Sequence, residues 1–177
     1  DLMLEVRFNI LNKFVDKFIV SEAKFSHSGE KKRLNFDINK FNEFKKKIIY
    51  LTIENEPENI AYRKKENNLL ENENDKRLNS IKRISHQRNK IIDGLSEAND
   101  DDYILYSDND EIPNLENFDL RTVKKKFVIF KQQIFYYKLN LSLPNLNWFG
   151  TKACKLKYLR SVDFLRNIKN REYSFFR

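Results

Sequence analysis

Three carboxylic acids lie within four consecutive residues near the middle of the chain: Asp108, Asp110 and Glu111. Carboxylates this close together repel one another unless a cation or several hydrogen-bond donors lie among them. Oxygen ligands of this kind are the ones that a hard divalent cation such as Mg²⁺ or Mn²⁺ prefers. The same residues would also suit an acidic loop that caps a helix starting near Asn114. The local pattern supports both interpretations equally.

The acidic residues follow directly after Tyr103–Tyr106, a short apolar and aromatic stretch that predicts a buried strand. Two similar stretches, Lys17–Val20 and Ile48–Ile53, predict further strands. Open α/β sheets bind ligands at the carboxyl ends of their strands. We therefore expect the three strand ends at one edge of one sheet, with Asp108 and Asp110 at a cleft.

Two amphipathic helices are predicted, one over Leu2–Phe14 and one over Ser80–Ala98. In the second helix Arg88 shares the apolar face, seven residues after Ile81 and four after Ile84. A guanidinium that faces inward needs an anion, so we expect Arg88 to meet the acidic cluster or a bound phosphate. The alternative is an arginine that reaches solvent at the edge of this face.

The segment Trp148–Lys152 holds the single Trp of the chain and one of its 3 Gly residues. Trp148 beside Gly150 and Lys152 could stack on a sugar ring or a base while the lysine meets a phosphate. A core Trp that anchors a loop explains the segment about as well. Glu22, at the end of a predicted strand, could likewise contact a ligand or simply pair with a lysine.

The composition suits one globular domain over residues 1–177, with 40% hydrophobic and 34% charged residues. The polar segment Glu54–Asn79 predicts a long loop or a frayed helix, and Leu139–Asn147 predicts a loop. Cys154 is the single cysteine, which excludes an intrachain disulfide and a cysteine-based zinc site. We expect no membrane-spanning segment, because no apolar run approaches the necessary length.

The net charge of +8 favours anionic partners such as nucleic acid, phosphorylated ligands or an acidic membrane face. One hypothesis is therefore a nucleic-acid-binding module, although the known nucleic-acid motifs are absent. Another is a metal-dependent phosphoesterase that uses Asp108, Asp110 and Glu111 around two ions. That class often uses His as well, and the chain has 2 His.

Several stretches of the chain, taken in order, resemble glycosyltransferase family 17, the family of the bisecting β-1,4-mannosyl-glycoprotein N-acetylglucosaminyltransferase. They are Leu4–Phe8, Val15–Ala23, Ser28–Gly29, Gln87–Asn89, Gly94–Leu95, Asp101–Pro113 and Trp148–Lys152. Each stretch is modest alone, but the ordered set with Ser-Asp-x-Asp-Glu-Ile-Pro in it is specific. The resemblance covers most of the chain.

The resemblance implies a GT-A-like fold, which is a Rossmann-type, nucleotide-sugar-binding α/β sandwich with a mostly parallel central sheet. It also implies a metal-dependent, inverting glycosyltransferase that uses Mn²⁺ or Mg²⁺. The expected donor is a UDP-sugar, with UDP-N-acetylglucosamine first, and the expected acceptor is a glycan. No nucleic-acid partner is expected on this interpretation.

The resemblance further implies a division of roles among the site residues. Asp110 would hold the metal directly, and Asp108 would contact the ribose or reach the metal through water. The donor side would be formed by Glu22, Gln87, Arg88, Asp108 and Asn109. The sugar or acceptor side would be formed by Trp148, Gly150 and Lys152. Glu111 is the candidate base, because an inverting transferase must deprotonate the acceptor hydroxyl.

The sequence also departs from the family. It lacks the family's first strand, which ends in Phe-Asn-Glu, and the C-terminal part rich in Gly, Trp, His and Phe. We therefore expect either the central part of such an enzyme or a shortened relative. No signal peptide is expected. The composition, rich in Lys and Asn, favours a cytoplasmic or membrane-peripheral enzyme of a microbe or virus over a Golgi enzyme, with the basic surface as a membrane contact.

Overall fold

A computed structural model describes residues 2–61, 69–138 and 140–169 of the chain. Helices and strands are interspersed along these residues, so the protein is a mixed α/β protein. The chain divides into two compact units: a terminal unit, Asp1–Val15 with Ala98–Arg177, and a central unit, Asp16–Glu97. The prediction of a single domain over residues 1–177 stays a prediction.

The elements are as follows. The strands are β1 (Phe18–Ala23), β2 (Ile48–Ile53), β3 (Tyr103–Tyr106), β4 (Phe127–Ile129), β5 (Gln132–Phe135), β6 (Ser142–Trp148) and β7 (Lys152–Lys155). The α-helices are α1 (Leu2–Leu11), α2 (Leu69–Lys90) and α3 (Val162–Asn167). The 3₁₀ segments are Ile38–Lys47, Ile91–Leu95, Leu120–Thr122 and Leu156–Tyr158.

The central unit is built on a parallel strand pair, β1 and β2, which are in register along their whole length. Parallel strands need a long crossover, and here it contains the 3₁₀ segment Ile38–Lys47 with buried Phe41 and Phe44. Helix α2 is tied to β1 reciprocally. Ser21 Oγ donates to the Gln87 carbonyl at 3.1 Å, and Gln87 Nε2 donates to the Ser21 carbonyl at 3.0 Å.

The terminal unit is built on a three-stranded sheet in the order β3–β7–β4. β7 is antiparallel to both neighbours, so β3 and β4 run in the same direction. Helices α1 and α3 belong to the same unit. The apolar side chains that anchor them are buried, namely Phe8, Leu11, Val162 and Leu165. We predicted β3 to be buried, but its residues are half-buried and the central strand β7 is the buried one.

The strands β5 and β6 form a separate antiparallel hairpin. All of β6 is exposed, and Tyr137 in the turn is 92% exposed with a φ of 59°. The loop predicted over Leu139–Asn147 is therefore wrong from Ser142 onwards. β6 forms by backbone pairing with β5 rather than by burial of one face, so no buried pattern marks it in the sequence.

The described strands do not form the predicted mostly parallel central sheet. They make three small sheets, of which β1–β2 alone is parallel. β3 pairs with β7, so the prediction that it shares one sheet with β1 and β2 is wrong. The reason is that β7 returns antiparallel between β3 and β4 and supplies their ladder partners.

The long helix begins earlier than predicted. α2 starts at Leu69, so part of the polar segment Glu54–Asn79 is helical, while residues 62–68 lie outside the described residues. Ile81, predicted to face the core, is 51% exposed, and Arg83 is buried instead. Arg83 can be buried because the Glu56 carboxylate and the His27 carbonyl accept its hydrogen bonds. None of the helices within the described ranges is both long and apolar enough to cross a membrane.

Candidate active site

The acidic residues form a tight turn directly after β3. The Glu111 amide donates to the Asp108 carbonyl at 3.1 Å, and the Asp108 amide donates to Glu111 Oε2 at 2.9 Å. Aspartate is favoured at the first position of such a turn. Asn109 and Asp110 lie at its exposed tip, whereas Asp108 is half-buried and Glu111 is buried. The turn therefore presents one carboxylate outward and holds the other two against the protein.

Glu111 connects the acidic turn to the Trp148 segment. Its side chain is 6% exposed, and Oε1 accepts from Trp148 Nε1 at 2.6 Å and from Arg166 Nη2 at 3.0 Å. The Asp108 amide on Oε2 is a third donor. A buried carboxylate is tolerated when hydrogen bonds and an opposite charge compensate it, as they do here.

Asp108 is held by two side chains. Its Oδ2 accepts from Arg166 Nη2 at 2.5 Å and Nε at 3.2 Å, and its Oδ1 accepts from the Tyr106 hydroxyl at 3.0 Å. Arg166 lies on α3, where its neighbours Val162 and Leu165 are completely buried. The packing of this short helix therefore fixes where the guanidinium meets Asp108.

The side chain of Arg7 on α1 binds the backbone of the acidic turn. Its Nη1 donates to the Glu111 carbonyl at 2.7 Å and to the Asp108 carbonyl at 3.3 Å. Desolvation lowers the pKa of Arg7, and the nearby negative charges of Glu111, Asp108 and Asp110 oppose that shift. An arginine stays charged throughout. Arg7 and Arg166 thus set two positive charges against three carboxylates, which leaves the turn one negative charge.

Gly150 explains why the segment after Trp148 can lie against the turn. A Cβ at Gly150 would come within 2.6 Å of both Glu111 Cδ and Trp148 Nε1, and within 2.7 Å of Gln132 Oε1. Only glycine permits this approach. The Trp148 ring is anchored through Nε1 but is 46% exposed, so it is not a core residue. Its predicted contact with a sugar ring or a base stays a prediction.

Lys152 is buried on β7, and its Nζ donates to the Arg166 carbonyl. This hydrogen bond from a buried lysine therefore helps to fix the backbone position of Arg166. The predicted site residues of the terminal unit lie close together, linked directly or through their contacts with Glu111 and Arg166. They are Asp108, Asn109, Asp110, Glu111, Trp148, Gly150 and Lys152.

Glu22 and Gln87, predicted on the donor side, are held by contacts within the central unit. The Glu22 carboxylate accepts from Lys32 Nζ at 2.7 Å, from the Tyr50 hydroxyl at 3.0 Å and from the backbone amides of Asn35 and Phe36. Desolvation alone would raise the pKa of Glu22, but these hydrogen bonds bring it below its ordinary value. Glu22 therefore pairs with a lysine and orders the Lys32–Phe36 loop.

Arg88 is half-buried on α2 in the central unit. The predicted contact of Arg88 with the acidic cluster stays a prediction. The guanidinium groups that the structure does place at the cluster are those of Arg7 and Arg166, which were not predicted. Each lies beside a buried apolar residue of a helix, Phe8 and Leu165 respectively, and this position was the available signal.

The carboxylate oxygens of the turn are the candidate ligands for a divalent cation. Among the described residues, no three His, Cys, Asp or Glu side chains are placed to hold a metal ion together. Mg²⁺ at a nucleotide site needs fewer protein ligands, because it binds through one or two carboxylates and the phosphates of the substrate. The exposed carboxylate of Asp110 fits such a site, and Asp108 fits it in competition with Arg166.

Comparison with protein families gives a match to the model of glycosyltransferase family 17 over residues 1–158. This match confirms the resemblance seen in the sequence. Neither the comparison with curated proteins nor that with solved structures gave a match. The matched region contains every residue of the candidate site except Arg166.

Proposed function

Because the chain belongs to glycosyltransferase family 17, we propose that it is a metal-dependent, inverting transferase that uses a UDP-sugar donor and a glycan acceptor. We propose N-acetylglucosamine as the sugar. The observation that carries this proposal is the turn at the end of β3. There Asp110 is exposed, while the carboxylates of Asp108 and Glu111 accept hydrogen bonds from Arg166. The parallel β1–β2 pair with its crossover supports a GT-A-type nucleotide-sugar fold as part of the same proposal.

The chemistry of the donor explains why a carboxylate is needed at this point. The departing UDP carries growing negative charge, which a divalent cation neutralises without any proton transfer. Asp110 would hold that cation. Asp108, oriented by Tyr106 and Arg166, would contact the ribose or reach the cation through water. Asn109, beside them at the exposed tip, would face the donor.

The acceptor side is supported by the Trp148 ring, whose exposed part can stack on a sugar. Gly150 supports it by allowing the close packing of this segment on Glu111. Lys152 would act indirectly, through the Arg166 carbonyl that it holds. The glycan acceptor and, given the net charge of +8, an anionic membrane surface are the proposed partners.

An inverting transfer needs a base for the acceptor hydroxyl, and Glu111 was the candidate. Its Oε1 already accepts from Trp148 and Arg166, and its Oε2 accepts from the Asp108 amide. These bonds support a role in holding the turn more directly than a role in proton transfer. We therefore propose Glu111 as a positioning residue.

A thermal-shift panel tests the proposed function. The protein would be melted with UDP, with Mn²⁺, with both, and with a short oligonucleotide. We expect UDP to raise the melting temperature only when Mn²⁺ is present, since ligand at 100 times its Kd stabilises by about 2.7 kcal/mol. Stabilisation by the oligonucleotide, with no effect of UDP and Mn²⁺ together, would contradict the proposal. Replacing UDP by different UDP-sugars then ranks the donors.

A further inference from the structure

Arg166 contacts two carboxylates of the acidic turn, yet it lies beyond residues 1–158, the region that the family model matches. We propose that Arg166 is a positioning residue that holds Asp108 and competes with the divalent cation for its carboxylate. The cation is thereby directed to Asp110. This inference rests on the proposed function, in that the cation is the one that binds the donor.

The fold places Arg166 before any ligand arrives. Ser161 Oγ caps α3 by accepting from the Phe164 amide at 3.0 Å, and Lys152 Nζ donates to the Arg166 carbonyl. The Arg166 side chain itself is 14% exposed. A guanidinium whose backbone and side chain are both fixed loses little freedom in holding Asp108, so the pair is favourable.

The contacts show what the guanidinium does at the turn. Both its Nε and Nη2 donate to Asp108 Oδ2, and Nη2 also reaches Glu111 Oε1. Asp108 is 37% exposed, so this salt bridge is open to solvent on one side and a small cation can approach it. Asp110 has an exposed side chain instead. The turn thus has one carboxylate shared with Arg166 and one that is open to a metal.

Charge decides the consequence for metal binding. A guanidinium beside Asp108 repels a divalent cation and occupies one of its oxygen ligands. A single charge acting on a divalent ion some ångströms away, in a largely aqueous site, changes affinity by about tenfold. Removing the charge of Arg166 should therefore strengthen metal binding in the absence of donor. A residue that only stabilised the fold would weaken metal binding when it is lost.

Calorimetric titration of Mn²⁺ without nucleotide tests this directly in wild type, Arg166→Gln, Arg166→Lys and Lys169→Gln. We expect Arg166→Gln to bind Mn²⁺ about tenfold more tightly than wild type. Arg166→Lys keeps the charge and should stay within about threefold of wild type. Lys169 is exposed three residues further on, so Lys169→Gln is the control for net charge and should bind as wild type does. Equal or weaker Mn²⁺ binding by Arg166→Gln overturns the proposal.

A double-mutant cycle covers the case in which Arg166→Gln does not fold well. The melting temperatures of wild type, Asp108→Asn, Arg166→Met and the double variant would be compared, because methionine keeps the apolar stem of the side chain and removes the guanidinium. If Arg166 holds Asp108, the loss caused by Asp108→Asn is smaller in the Arg166→Met background. Additive losses would overturn the proposal as well.

These measurements separate the inference from the proposed function. Neither the Mn²⁺ titration nor the cycle contains UDP, so both can succeed or fail whatever the donor is. If wild type shows no Mn²⁺-dependent UDP binding, the proposed function fails while the competition between Arg166 and Mn²⁺ is still measured. If wild type binds UDP with Mn²⁺ and Arg166→Gln binds Mn²⁺ unchanged, the inference alone fails.

Discussion

Asp110 and Glu111 are neighbours in the sequence and differ sharply in environment. Asp110 is exposed at the tip of the turn, and Glu111 is 6% exposed beneath Trp148. The difference is set by Trp148 and Arg166, which are 37 and 55 residues away along the chain. The local sequence could therefore predict an acidic cluster but not which of its carboxylates is open to a ligand.

The cations of the site illustrate the same limit. The acidic cluster predicted that a cation or several hydrogen-bond donors lie among the carboxylates. Sequence spacing favoured Arg88, whereas the structure brings Arg7 and Arg166 to the turn. Both arrive through tertiary packing of helices that lie far from the turn in sequence. The roles of Arg7 and Arg166 were thus not predictable from local spacing, and the predicted contact of Arg88 stays a prediction.

Glu22 gives a prediction at the residue scale. Its pKa is lowered in the folded protein from an ordinary value of 4.5. Its stabilising contribution is therefore present above pH 4.5 and is lost as the pH falls through the lowered pKa. Glu22→Gln should cost about 1–3 kcal/mol of unfolding free energy at pH 7, because it removes charge-assisted hydrogen bonds.

The measurement is urea unfolding of wild type and Glu22→Gln at several pH values between 7 and 3. We expect the difference between the two proteins to shrink on the acid side of pH 4.5. Glu43→Gln, in the exposed part of the 3₁₀ segment Ile38–Lys47, is the control and should change little at any pH. A constant difference across the whole pH range would show that the Glu22 charge has no part in stability.

At the scale of elements, the hydrophobic pattern predicted those helices and strands whose own apolar residues are at least partly buried. β2 and β3 form at the predicted bounds, and α1 and β1 form where predicted with shifted ends. β6 was missed because its side chains are all exposed, and its partner β5 gives no pattern that identifies the pairing. The antiparallel arrangement of β7 between β3 and β4 was missed because it joins segments far apart in the chain.

Gly150 gives a prediction at the element scale. Gly150→Ala would place a Cβ within 2.6 Å of Glu111 Cδ and Trp148 Nε1. The segment between β6 and β7 must then shift away from the turn, at a cost of about 1–3 kcal/mol. Since Trp148 is the single Trp, its fluorescence should shift as the indole loses its bond to Glu111.

Fluorescence spectra and urea unfolding of Gly150→Ala measure both effects. Asn145→Ala, at an exposed position of β6, is the matched control and should leave the spectrum unchanged. If Gly150→Ala has the stability and the emission of wild type, the close packing of this segment on Glu111 is not required.

At the scale of the whole molecule, the single cysteine reports on folding. Cys154 is completely buried on the central strand β7, and desolvation raises the pKa of its thiol to about 11. The reactive thiolate is therefore scarce as well as inaccessible at pH 8. We expect no reaction with a disulfide reagent in the native protein and full reaction in urea. Rapid reaction of the folded protein at pH 8 would contradict the position of β7.

The family match and the local structure supply different parts of the account. The match extends over residues 1–158 and establishes the class of enzyme. The structure adds the separation of an exposed Asp110 from a held Asp108 and Glu111. A mostly parallel central sheet, which the resemblance implied, is not seen in the described strands. The grouping of the acidic residues was thus more predictable than the sheet, because these residues are neighbours in the sequence while strand pairing joins distant segments.

The central claim is that Asp110 holds the divalent cation that binds the donor diphosphate. Calorimetric titration of UDP into wild type and Asp110→Asn, each with Mn²⁺ and with a chelator, tests it most directly. Asparagine keeps the size of the side chain but loses the charge that a hard cation needs. We predict Mn²⁺-dependent UDP binding in wild type, a smaller loss in Asp108→Asn, and complete loss in Asp110→Asn with an unchanged melting temperature. Unchanged Mn²⁺-dependent affinity in Asp110→Asn would contradict the claim, and the acidic turn would then be only a structural element.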